Sequence, residues 1–132
     1  MKSNKYFVID FDSTFTKVEA FDALADISLK DHPERMTIKK KIEDLTNQGM
    51  EGALSVRESL KQRLQLLAPN KRHLDQLVTV LKGKVSESFK RNRTFFEENA
   101  DNIFIISNGF HAFIDPIVTE YGVKKENIYA NL

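Results

Sequence analysis

Two carboxylates, Asp10 and Asp12, stand two residues apart directly after the apolar run Tyr6-Phe7-Val8-Ile9, and Ser13-Thr14 follow at once. A carboxylate fixed at a strand end can attack phosphorus and form an aspartyl phosphate. Asp12, two residues on in extended chain, projects to the same side. It can protonate a departing alkoxide and later take a proton from the attacking water. The same residues also suit a plain acidic turn in which Asp12 serves only the backbone. A second motif, Ser107-Asn108-Gly109-Phe110, follows the apolar run Ile103 to Ile106. There a Ser hydroxyl can donate to a phosphoryl oxygen, Gly lets the backbone approach a ligand, and a helix start favours an anion. Alone it reads equally well as an ordinary helix cap. The two motifs at adjacent strand ends are the specific signal, because ligands of open α/β sheets bind at the carboxyl ends of the strands.

The elements that must carry these groups are legible as periodicities. Tyr6 to Ile9 is a continuous aromatic and β-branched run, which predicts a strand covered on both faces inside a parallel sheet. Ile103 to Ile106 and Ile128 to Ala130 predict two more. Between them Phe110, Phe113, Ile114, Ile117, Val118 and Tyr121 keep one helical face, and Gly122 closes it. Residues 16–85 differ. His32-Pro33, Asn47-Gln48-Gly49, Pro69-Asn70 and Gly83 divide them into amphipathic segments, with Leu60, Leu64 and Leu67 and then Leu74, Leu77, Val78 and Leu81 at helical spacing. This predicts four helices, no strand, and a lid over the strand ends; one further helix over about 86–99 leads back to the sheet. The expected fold class is α/β, a Rossmann-like parallel sheet of three strands. Its core is 1–15 and 86–132, and an all-helical cap over 16–85 is inserted after the first strand.

A chain of 132 residues makes one modest domain. Its net charge of +1 leaves no basic excess to neutralise nucleic-acid phosphates. Absence of cysteine removes thiolate and disulfide chemistry. The apolar runs are far shorter than the roughly 20 residues of a membrane span. The expectation is a cytoplasmic enzyme, or part of one, acting on a small molecule. His32, His73 and His111 are assigned structural or solvent-facing roles.

The D-F-D-S-T and S-N-G-F motifs resemble those of the haloacid dehalogenase-like phosphatases, in particular the phosphoserine phosphatase branch. Met50-Glu51-Gly52, Val56 and Ser59-Leu60 with Arg63 are similar to that branch's cap signature. The resemblance implies an Mg²⁺-dependent phosphomonoesterase with Asp10 as nucleophile and Asp12 as general acid/base. It implies that Asp10 and Asp12 hold the metal, and that Ser107, Asn108 and Gly109 hold the phosphoryl group. Glu19 would receive the substrate ammonium, Arg63 its carboxylate, and Met50 would line the pocket. The implied substrate is a small phosphorylated metabolite such as phosphoserine. Val56 stands where the branch has Phe, and Asn108 where it has Gly, which loosens the choice of leaving group. The Lys and distal Asp loop of that family have no counterpart in these 132 residues. The sequence therefore reads as the amino-terminal portion of such an enzyme, expected to be inactive alone. The alternatives are a non-catalytic assembly module, whose open sheet edge pairs in a homodimer or with a complementing carboxyl-terminal segment, and a receiver-type domain, against which the helical insertion argues.

Overall fold

The computed structural model describes residues 5–132. Three strands, β1 (Phe7–Asp10), β2 (Ile103–Phe110) and β3 (Ile128–Asn131), form one parallel sheet with β2 in the middle. Their β-branched and aromatic residues suit a pleated surface. Between β1 and β2 lie α1 (Ala20–Ser28), α2 (Arg35–Glu51), α3 (Val56–Leu67) and α4 (Lys71–Lys82). Then come α5 (Glu87–Arg91) and α6 (Arg93–Glu98); α7 (His111–Val118), extended by a 3₁₀ turn over Thr119–Tyr121, joins β2 to β3.

Local chemistry marks the helix boundaries. Gly52, at a φ of +82°, ends α2 in the left-handed region that glycine enters without penalty. The Ser55 hydroxyl opens α3 by accepting the Glu58 N–H at 3.1 Å. Asn70 opens α4 by accepting the His73 N–H, and His73 Nδ1 accepts the Asn70 N–H in return. His73 is therefore a capping group. His111 pairs with Asp115 at 2.8 Å one turn along α7, and His32 Nδ1 accepts the Glu34 N–H.

One face of the sheet is the core. Ile103 and Ile105 of β2 are fully buried with Ile114, Ile117 and Val118 of α7, Leu77 and Leu81 of α4, and Phe11 and Phe15 beyond β1. Burying each such side chain contributes about 1.5–3 kcal/mol. In this layer α4 packs on both α7 and α1, whereas α2 and α3 pack mainly on each other as a hairpin. The insertion thus has a base, α1 and α4, rooted in the sheet's own core, and an outer hairpin. Its two ends are tied together: Thr16 and Val85 form an antiparallel bridge, and the Lys17 N–H donates to the Lys84 carbonyl at 2.7 Å.

Three expectations are corrected. First, β1 is not covered on both faces. It is an edge strand whose exposure alternates, with Phe7 and Ile9 turned inward and Val8 65% exposed. Ile106 (51%) and Tyr129 (57%) share that open face, because all the helices that bury the sheet's core residues lie on the other side. Second, the single helix expected over 86–99 breaks at Asn92 into α5 and α6. The Asn92 side chain donates to the Ser88 carbonyl at 2.6 Å, competing with the backbone as Asn does in helix interiors. Third, the helix after the second motif starts at the motif's last residue and not at its first: β2 runs through Ser107 to Phe110, and Phe110 is the N-cap of α7.

Candidate active site

The segment after β1 does not coil. Asp10 closes the strand; Phe11–Phe15 then make a wide turn in which Asp12 is extended and Ser13 takes a φ of +57°. Phe11 and Phe15 are fully buried, so the turn is nailed to the core at both ends while Ser13 and Thr14 are exposed and Asp12 is half-buried. A non-glycine residue in the left-handed region is uncommon and has to be held there. Here the Ser13 N–H donates to the Val18 carbonyl at 3.3 Å and its hydroxyl to Glu19 Oε1 at 2.6 Å. Asp12 Oδ1 accepts the Ala20 N–H at 2.7 Å. The turn therefore fixes both the start of α1 and Glu19, which occupies its N-cap position.

Asp10 pairs in register with Ile106, so Ser107 begins one residue beyond it on the neighbouring strand, at the same end of the sheet. A cavity of about 490 Å³ opens there. Asp10, Asp12, Asn108 and Gly109 line its floor, Glu19, Phe21 and Asp22 its α1 wall. Ile42, Thr46, Gly49 and Met50 of α2, with Val56, Ser59, Leu60 and Arg63 of α3, form the roof. Met50 is 81% exposed at its rim. Ser107 does not line it. The Ser107 oxygen accepts the Gly109 N–H at 2.9 Å, so that amide, expected to face an anion, is already engaged. Gly109 has a packing reason to be glycine: a Cβ there would lie 2.8 Å from the Phe113 ring.

Burial, with the charges of Glu19, Asp10 and Asp22 adding to it, pushes the Asp12 carboxyl up to about 6, against the opposing Ala20 N–H bond. A carboxyl so poised can hold or release a proton near neutrality. Arg63 is half-buried, and its guanidinium lies 5.0 Å over the Phe21 ring centroid. Its burial favours the neutral form and the Asp22 charge opposes this. Asp22 is itself pushed up by burial and by Glu19 and Asp26.

Phe21, Asp22 and Thr46 escaped the sequence reading, and Ser59 entered it only as part of the cap signature. Asp22 carried a signal, one helical turn from Glu19; Phe21 and Thr46 carried none, because a stacking partner and a roof residue are defined only by what packs against them. Among the described residues no three or more His, Cys, Asp or Glu are arranged so as to hold a metal ion by themselves. A pair of carboxylates still suits Mg²⁺, which takes one or two from the protein and completes its shell with phosphate oxygens and water.

No family model matches the chain. Phosphoserine phosphatase of Drosophila melanogaster is 27% identical over 122 residues, which are 92% of this chain and 42% of that protein. The crystal structure of a phosphoserine phosphohydrolase-like protein from Francisella tularensis superposes with a TM-score of 0.78 at 29% identity, over 96% of this chain and 57% of that one. A HAD family hydrolase from Salmonella enterica shares the fold, with a TM-score of 0.69 at 22% identity over 98% of this chain and 40% of that one. The chain spans about half the length of the relatives it matches. Over that span it is similar in sequence and fold to phosphoserine phosphatases, and in fold to a HAD family hydrolase.

Proposed function

We propose that this chain carries the nucleophile, the proton-transfer group and the phosphate cradle of a phosphomonoester hydrolase acting on a small amino-acid phosphate such as phosphoserine in the cytoplasm. The observation that carries this reading is the shared cavity: Asp10, Asp12 and the Asn108–Gly109 turn form its floor beneath the α2–α3 hairpin. Within the helical insertion of residues 16–85 the α2–α3 hairpin acts as the lid, and α1 and α4 pack with residues 5–15 and 86–132 as the body. An Asp10 oxygen attacks phosphorus, the bond from phosphorus to the ester oxygen breaks, and Asp12 gives its proton to the leaving alkoxide. Water then attacks the aspartyl phosphate, Asp12 takes the water's proton, and Asp10 is regenerated. Mg²⁺, held by the Asp10 carboxylate and the Asp12 backbone carbonyl, would supply charge neutralisation for the phosphoryl oxygens. Ser107, beside the floor residue Asn108 rather than on the lining itself, would turn its hydroxyl to the phosphoryl group once that group is bound; Glu19 receives an ammonium, Arg63 a carboxylate, and Met50 closes the rim.

Arg63 is the single cation on the cavity wall among the described residues, and it sits in the lid. The developing phosphoryl charge is therefore thinly stabilised, and turnover by these 132 residues is expected to be slow. Fluoroberyllate, a mimic of an aspartyl-bound phosphoryl group, tests the site without requiring turnover. With Mg²⁺ the chain is expected to give a bound ¹⁹F resonance that Asp10→Asn abolishes; phosphate release from phosphoserine, however slow, is expected to vanish with it. A fluoroberyllate signal or phosphate release that survives Asp10→Asn removes Asp10 as nucleophile. The open sheet face supports a second reading, in which the edge of β1 pairs with another chain, either a second copy or a complementing segment.

A further inference from the structure

The strand that ends in the cradle is irregular at the cradle itself. Pairing passes from Ile106 with Tyr129 to Phe110 with Asn131, so β2 advances four residues while β3 advances two. The excess bulges out as Ser107, Asn108 and Gly109, and a bulged residue loses its ladder partner. The lost partner is replaced by a side chain: Asn131 Nδ2 donates to the Asn108 carbonyl at 2.7 Å. The other end of that same peptide, the Gly109 N–H, donates to Ser107 Oγ at 2.9 Å. One peptide plane is thus held at both its polar ends, and the Phe113 ring packs where a Gly109 side chain would stand.

These bonds run in one direction, from the Asn131 amide to the Asn108 carbonyl, through the peptide to the Gly109 N–H, and on to the Ser107 oxygen. Each donor polarises the next. Because Ser107 Oγ accepts, its own hydrogen is the group left to donate. We propose that Asn131 is a positioning residue for the tetrahedral-anion site: it locks the Asn108–Gly109 peptide so that Ser107 aims its hydroxyl hydrogen at a phosphoryl oxygen. The inference rests on the reading of this cavity as a phosphate site. Asn131 touches neither the anion nor the carboxylates; it acts only through Ser107.

The test uses the full chain and inorganic phosphate as probe, with ¹⁵N NMR as readout. Asn131→Ala, and the uncharged Asn131→Leu that roughly keeps the volume but removes the donor, are expected to weaken phosphate binding about fivefold, the worth of one neutral hydrogen bond. In the Ser107→Ala background the same substitutions are expected to change binding little, because the relay has lost its last member. Additive losses, or an Asn131→Leu chain that binds as the parent does, overturn the proposal. Without ligand, Asn131→Ala is expected to speed exchange of the Gly109 amide while leaving the melting temperature of this exposed site nearly unchanged. An unaltered Gly109 amide overturns it equally. A parent chain that binds no phosphate refutes the phosphate reading instead, and the ligand-free exchange still decides the role of Asn131.

Discussion

Asp12 shows how a single residue's surroundings set its chemistry. It is pushed up to about 6 chiefly by burial and then by three neighbouring carboxylates. The native state therefore holds the proton more tightly than the unfolded chain, whose carboxyl titrates near 3.8. Proton binding that is stronger in the folded state makes stability fall as pH rises. Asp12's contribution is accordingly intact below about 4 and lost as pH climbs through about 6. Without divalent cation, Asp12→Asn is expected to melt higher than the parent at pH 8 and level with it at pH 3.5. Differential scanning calorimetry across that range checks the sign, and a gap that widens toward acid pH contradicts it. Gly109 adds a second lesson at this scale. In sequence it looks like a ligand-approach glycine; in the fold its missing Cβ makes room for Phe113. Such a residue can serve a site by packing rather than by contact.

Among the elements, the α2–α3 hairpin is the one most separable from the rest. Its two helices pack mainly on each other, while α1 and α4 share the buried cluster of the sheet. Where the hairpin closes, Gly49 meets Ser59: a Cβ on Gly49 would lie 2.9 Å from the Ser59 side chain, whose hydroxyl donates to the Leu45 carbonyl at 2.6 Å. Gly49→Ala gains helix propensity of up to about 1 kcal/mol. Overpacking costs about 1–3 kcal/mol, so the net effect is destabilising. The loss should be local, appearing as faster amide exchange in α2 and α3 with α7 unaffected. Uniform acceleration over the whole chain would show that the hairpin is not an independent unit. Stability gained on Gly49→Ala would show that Ser59 yields freely.

For the whole molecule, the asymmetry of the sheet matters most. One face holds the core. The other presents Tyr6, Val8, Ile106 and Tyr129, with Phe104 bridging two of them through ring contacts of 6.0 Å to Tyr6 and 6.4 Å to Tyr129. Beside it runs the unpaired edge of β1, short and bounded by Lys5 and Asp10. Edges of this kind invite another strand unless charge blunts them. Light scattering is expected to show the average mass of the parent chain growing with concentration. The double substitution Val8→Lys and Tyr129→Lys should hold it at the monomer mass, at little cost because both side chains are more than half exposed. A parent chain that stays monomeric at millimolar concentration removes the assembly reading.

The sequence by itself determined the chemistry on offer and the elements that carry it. Adjacent carboxylates, a Ser-Asn-Gly run, apolar strands and amphipathic helices are properties of neighbouring residues, and short-range sterics and periodicity suffice to interpret them. So Asp10 was legible as the last residue of its strand, and the four helices of 16–85 as an insertion. Tertiary structure alone decided which faces are covered, because burial depends on partners remote in the chain. That is why β1 proved an edge strand rather than a covered one, why Arg63 found Phe21, and why α4 belongs to the body's core. The cradle shows the same division at its sharpest. Ser107 and Gly109 could be picked out as candidates from spacing, yet their bond to each other, and Asn131 on the carbonyl between them, exist only because a bulge in β2 meets the end of β3.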